Sequence, residues 1–229
     1  MGVTTYCDYP EEAKKKPKIG GMSNPSIEAI MRLKPDMVIM TEDGNPIEIY
    51  RRLKDAHINL HVFKARRLDE LTDGIREMGM ALDEKERFDA LARRIEDGIS
   101  YYKTHPLLHG EKVLFIIWPE PLIVAGKGTA ISDVINILGG VNLGDMAGIM
   151  YPRYSIEEVI RQSPDIIFIG KGHEEIKGLS EGFLKRISIV PAVKNKRVYY
   201  LSDAIYRLGP RVIDGIKEIT ESIGMDDQK

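Results

Sequence analysis

Cysteine is almost absent from this 229-residue chain. Cys7 stands alone, which excludes an internal disulfide and any paired-cysteine metal or redox motif. An excess of charge of one sign is also missing. Lys and Arg total 33 against 35 Asp and Glu, a formal net charge of −2, so there is no electrostatic footprint for nucleic acid. No apolar run approaches the roughly 20 residues that a membrane-crossing helix needs. Residues Met1 to Thr5 show no basic region leading into an apolar stretch, so no signal peptide is read there. The chain is therefore either cytoplasmic or begins downstream of a signal. Catalytic signatures are lacking as well: there is no phosphate-binding glycine loop, no GxSxG elbow and no HExxH pair. Gly126-Lys127-Gly128-Thr129 lacks the preceding glycine and the spacing of a phosphate loop, although a helix start there can meet an anionic group. What remains is ordinary globular composition, 43% hydrophobic and 30% charged, enough to build a sizeable core.

Short apolar runs alternate with helical patterns. Met37 to Met40, Leu60 to Phe63, Val113 to Ile117, Ile166 to Ile169 and Val198 to Leu201 read as strands. Pro46 to Ala56, Leu68 to Leu82, Ile131 to Leu138 and Val212 to Ile223 read as helices. Continuous apolar strands between helices predict an α/β fold with mainly parallel sheets covered on both faces. Glu84 to Thr104 contains no proline, and Phe88, Leu91, Ala92, Ile95, Ile99 and Tyr102 form one apolar stripe. A helix of that length runs about 30 Å. It either braces two halves or is a routine crossover.

An internal repeat divides the chain. Ser26-Ile27-Glu28 and Ser155-Ile156-Glu157 are each followed by an Arg four residues after the Glu, then by Pro-Asp and a strand. The serine can cap a helix, the glutamate sits where the helix dipole favours it, and Pro-Asp ends the helix. Each unit has this structural explanation on its own; together they imply two related lobes with one carboxylate on each. The histidines, His57, His61, His105, His109 and His173, form no metal-ligand spacing and read as surface or turn residues, any one of which can still serve as an axial nitrogen to a ligand-borne metal. Tyr6, Tyr9, Trp118, Tyr151, Tyr154 and Tyr206 fall near turns and element ends, where α/β sheets form crevices. They either line a ligand site or cover lobe edges.

Several segments, in order, resemble class III periplasmic binding proteins of ABC importers. They are Gly2-Val3-Thr4-Thr5-Tyr6-Cys7-Asp8-Tyr9-Pro10, both Ser-Ile-Glu units, Pro121 to Gly126, Gly139-Gly140-Val141-Asn142, Val193 to Tyr199 and Gly209-Pro210-Arg211. The Tyr-Cys-Asp-Tyr-Pro segment looks most like the cobalamin-binding branch. The resemblance implies two lobes joined by one long helix: residues 1–83 as an N-terminally incomplete first lobe, 84–105 as the inter-lobe helix and 106–229 as the second lobe. It also implies capture of a corrinoid between the lobes, with Tyr6, Trp118, Tyr151, Pro152, Asp203 and Arg207 at the ligand. Glu28 and Glu157 are then the carboxylates that dock on the membrane permease. Met22 and Thr41 stand where the best-known cobalamin binder carries tryptophans. No intrinsic cofactor, metal site or catalytic activity is expected, and the location implied is periplasmic or extracellular. The alternatives are a ferric-siderophore or haem receptor on the same scaffold, and an enzyme or sensor on a nitrogenase-like two-lobed fold.

Overall fold

The computed structural model describes residues 1–42, 44–171 and 174–224. The chain divides into two compact units, Met1–Ala65 with Gly74–Phe88, and Arg66–Asp73 with Asp89–Lys229.

In the first unit, α1 (Ile27–Arg32), β1 (Val38–Thr41), α2 (Ile47–Asp55) and β2 (Leu60–Phe63) follow one another. The two strands pair in parallel, Val38 opposite Leu60 and Thr41 opposite Phe63. Strand side chains alternate between faces. Met40 accordingly joins Ile30 and Leu53 in a buried cluster, while Ile39 points to the other face and is exposed. The helix α3 (Leu68–Ala81) closes on this unit through glycines: Gly74 lies against the Phe63 ring, and Gly79 leaves no room for a side chain beside Phe88. Phe88 belongs to α4 (Lys85–Thr104), which starts one residue later than the apolar stripe indicates because Asp83 has a positive φ of 56°.

The second unit is built on a five-stranded sheet. Its strands are β3 (Lys112–Pro119), β4 (Leu122–Val124), β5 (Val141–Asn142), β6 (Ile166–Gly170) and β7 (Val198–Leu201). The order is β4-β3-β6-β7, with β5 beside the start of β3; every pairing is parallel except β3 with β4. The α/β class with mainly parallel sheets thus stands. The helices are α5 (Ala130–Ile137), α6 (Ile156–Gln162), α7 (Glu174–Arg186), α8 (Pro191–Lys194) and α9 (Val212–Gly224). One sheet face puts Leu114, Ile116, Ile167 and Ile169 against Val159 of α6, Phe183 of α7 and Ile187 just after α7. The other carries an aromatic row in which Phe168 lies 6.2 Å from Phe115 and 5.8 Å from Tyr199, with Tyr206 6.5 Å from Phe115.

The helix α9 comes close to the segment after β7. A Cβ on Gly215 would stand 2.8 Å from the main-chain nitrogen of Ile205 and 3.0 Å from the carbonyl carbon of Ala204. Backbone atoms cannot move aside as a flexible side chain can. Gly215→Ala gains about 1 kcal/mol of helix propensity but overpacks the junction at a cost of about 1–3 kcal/mol. A net loss of stability in denaturant titration is expected; a net gain would show that the junction is loose.

Candidate functional site

The two Ser-Ile-Glu units adopt the same geometry, one in each unit of the chain. The Ser26 Oγ accepts a hydrogen bond from Ala29 N at 3.1 Å, and Ser155 Oγ accepts one from Glu158 N at 3.1 Å. Both chains then leave through a left-handed residue directly before proline, Lys34 one residue past the Leu33 cap of α1 with φ 45° and Ser163 at the cap of α6 with φ 54°. Proline clashes with a helical residue ahead of it, so each chain exits by the same sharp turn. Glu28 and Glu157 are exposed in the first turns. Each carboxylate is held below its ordinary value first by a bond from its own main-chain N–H, then by the capping serine's hydroxyl.

In the second unit, the edge beside β4 carries three of the expected ligand residues. Residues 150–154 run along β4: Met150 O accepts from Gly126 N at 2.7 Å, Pro152 O from Val124 N at 3.1 Å, and Leu122 O from Tyr154 N at 3.1 Å. Trp118 faces Ile123 on the inner side of β4, and Arg153 bridges Ile123 on the outer side. Trp118 and Tyr151-Pro152 are therefore neighbours across one short strand. They differ in surroundings. Trp118 packs on the sheet core and donates its indole N–H to Glu120 O at 2.7 Å. Pro152 is buried, while Tyr151 is 45% exposed. Tyr154 serves the fold: its hydroxyl donates to Leu143 O at 2.8 Å, and burial raises its pKa.

Asp203 and Arg207 meet after β7. The Asp203 carboxylate, 17% exposed, takes Arg207 Nη1 at 2.9 Å on one oxygen and Arg211 Nη1 at 3.1 Å on the other. Glu218 on α9 holds the preceding residue, accepting both the N–H and the hydroxyl of Ser202. Arg211 was not legible as a partner, because the pair spans a loop and a helix start with no periodic spacing. Tyr6 lies in the first unit, 58% exposed, in a turn fixed by Thr5 N to Gly20 O at 2.8 Å and Cys7 N to Thr4 O at 3.1 Å. Met22 and Thr41 are joined through Asn45, which accepts from Thr41 N at 2.7 Å and donates to Met22 O at 2.8 Å.

Other groups resolve as structure. His57 has a positive φ of 59° in the turn after α2, and His105 stacks on Tyr101 at 4.5 Å. His61 departs from the surface reading: it sits in β2 with Nε2 buried and without a hydrogen-bond partner among the described residues. His173 lies outside the described residues. Among the described residues no cluster of three or more His, Cys, Asp or Glu is arranged to hold a metal, and no helix is long and apolar enough to cross a membrane. A groove of about 510 Å³ opens beside α3, α4 and α5, lined in part by Arg67, Thr72, Lys103 and Asp133. Asp133 closes its polar side, pairing with Arg67 at 3.1 Å and accepting from Leu68 N at 3.0 Å. None of the expected ligand residues lines it.

A family model described as periplasmic binding protein matches residues 1–204. The chain belongs to that family. Similar curated proteins include a vitamin B12-binding protein of Vibrio parahaemolyticus, 27% identical across 96% of this chain and 80% of that protein. An ABC transporter substrate-binding lipoprotein of Bacillus subtilis is 31% identical across 99% of this chain and 73% of its own length. Among solved structures, the periplasmic haem-binding protein RhuT of Roseiflexus sp. RS-1 superposes with a TM-score of 0.88 at 28% identity, covering 98% of this chain and 89% of that one. The vitamin B12-binding protein BtuF of Vibrio cholerae superposes at 0.81 and 23% identity, over 100% and 89%, and shares the fold.

The twin caps generate a pH signature. In a carboxylate-detected NMR titration, Glu28 and Glu157 should both titrate below the ordinary glutamate value of 4.5, and Ser26→Ala and Ser155→Ala should each raise the value of their own glutamate. A folded-state pKa that is lowered stabilises the fold above the ordinary value, and that contribution is lost as pH falls through the folded value. A midpoint at or above 4.5 for either residue would overturn the capping account.

Proposed function

We propose that this protein is the solute-binding component of an ABC importer, carries out no catalysis, and captures a corrinoid of the cobalamin type for delivery to a membrane permease from the periplasmic or extracellular side. The observation that most supports the reading is the likeness to vitamin B12-binding proteins along 96% of the chain. In this reading Tyr6, Trp118, Tyr151 and Pro152 supply the apolar wall at the ligand. Because Asp203 is engaged by two guanidiniums, it positions Arg207, which meets the ligand's polar rim. Residues 84–105 form the helix between residues 1–83 and 106–229. Glu28 and Glu157 dock on cationic groups of the permease, where charge pairing mainly sets orientation and association rate. A second reading, haem, has a specific support: the likeness to a haem-binding protein at 28% identity, together with an arginine pair suited to carboxylates.

The deciding experiment is a visible absorption spectrum after mixing with hydroxocobalamin or haemin and desalting. Retention of the corrinoid spectrum near one equivalent is expected; retention of haemin alone would replace the first reading by the second. Tyr151→Ala should then weaken hydroxocobalamin binding about tenfold to a hundredfold in calorimetric titration, about 1.4–2.8 kcal/mol. An unchanged affinity would remove Tyr151 from the ligand wall.

Charge reversal separates capture from delivery. The double substitution Glu28→Lys with Glu157→Lys should abolish uptake in cells while leaving the dissociation constant for hydroxocobalamin within about twofold of the parent, since a rim charge acts mainly on orientation and rate. Loss of ligand binding in the double variant would contradict a docking role.

A further inference from the structure

Resting on the solute-binding reading above, we infer that the loop from Met146 to Tyr151 is a preformed apolar seat for the ligand, with Met146 and Ile149 as specificity-determining side chains. Met146 is 68% exposed and Ile149 58%, and Tyr151 follows two residues later. Scattered exposed apolar residues are common. Three large ones fall within six consecutive residues, and a mobile loop would fold such side chains inward.

This loop is not free to do so. Asp145 at its start accepts the one proton of the buried Ser132 hydroxyl, shared between its two oxygens at 2.8 and 2.7 Å, and a bond from the buried Asn142 amide at 2.7 Å. Asn142 also donates to Ala125 O at 3.1 Å. Gly148, at a positive φ of 72°, turns the chain and donates to Asp145 O at 3.0 Å. The far end is zipped to β4 through Met150 and Pro152. Where the loop crosses the main chain of Ala125 and Gly126, a Cβ on Gly144 would collide with Ala125 O, and one on Gly126 would collide with Ile149 O. The backbone is thus fixed from both ends and beneath.

Size decides between occupants. Three side chains present on the order of 300 Å² of apolar surface, well short of the roughly 800 Å² that each partner contributes to a stable protein interface. They suit one face of a macrocycle. Fixing the loop beforehand removes the ordering cost that a flexible loop would add on binding.

The test uses the whole chain and two probes, hydroxocobalamin and haemin. Met146→Ser with Ile149→Ser should lower the affinity for the retained probe at least about tenfold, with an unchanged melting temperature because both side chains are exposed. Met146→Leu with Ile149→Leu should restore affinity to within about threefold of the parent. If the parent retains neither probe, the corrinoid and haem readings fall and this inference falls with them. If the parent retains a probe and the serine variant binds it equally well, the inference alone is overturned. Unchanged affinity combined with lost uptake would assign these side chains to a protein partner and likewise overturn it.

Discussion

Strand β3 has to satisfy three neighbours at once with both of its faces dry. Every main-chain N–H and C=O buried there needs a partner. They come from β6 along its length, β5 at its start and β4 folded back on its end. Val113, Leu114, Phe115 and Ile116 are at most 1% exposed, which explains a run with no polar alternation. Folding β4 back creates a new edge, and residues 150–154 close it. The candidate ligand residues Trp118, Tyr151 and Pro152 take their places from this closure. So does the glycine requirement at positions 126 and 144, where two main chains cross in contact.

The Ser-Ile-Glu units show a different kind of positioning. Nothing distant is needed to place Glu28 or Glu157. One serine, one helical turn and a left-handed exit before proline define each. The carboxylate stays ionised because local main-chain and hydroxyl donors hold it so, and the helix dipole acts in the same direction. A charge set so locally does not depend on how the surrounding core is packed. It can be presented identically by two units whose cores differ, one resting on a two-stranded sheet and the other on five strands.

Much of the fold was legible because its signals are local. Leu60–Phe63 and Val198–Leu201 were read to the residue, and the long helix missed by one position at its start. The elements that escaped lack a periodic signature. The β4 strand is three residues beside two prolines, β5 is two residues, and α7 carries Gly178 and Gly182. The serine caps were legible because capping is a short-range interaction. Arg211 on Asp203, Ser132 on Asp145 and the Trp118 indole on Glu120 were not, because each pairing depends on how a loop folds back. His61 was misread because its spacing gives no hint that Nε2 is buried.

For the proposed function, the two kinds of contact divide the work. An apolar wall rewards buried area without regard to sign, at about 25 cal/mol per Å², and so it distinguishes ligands by ring shape and contact area rather than by charge. In that reading the cluster after β7 supplies the polar contacts. Asp203 accepts from both Arg207 and Arg211, and the Arg207 side chain is 42% exposed. Without Asp203 the two cations would repel each other, so the carboxylate makes their convergence possible. A unit charge 4 Å away is worth about 1 kcal/mol in water and about 4 kcal/mol near a protein surface. Cobalamin carries one phosphodiester among neutral amides, whereas haem carries two carboxylates. The difference of one anion is therefore large enough to outweigh small differences in ring contact. Under the proposed function, charge would then be read at Arg207 and Arg211, and ring shape at the apolar wall with Met146 and Ile149.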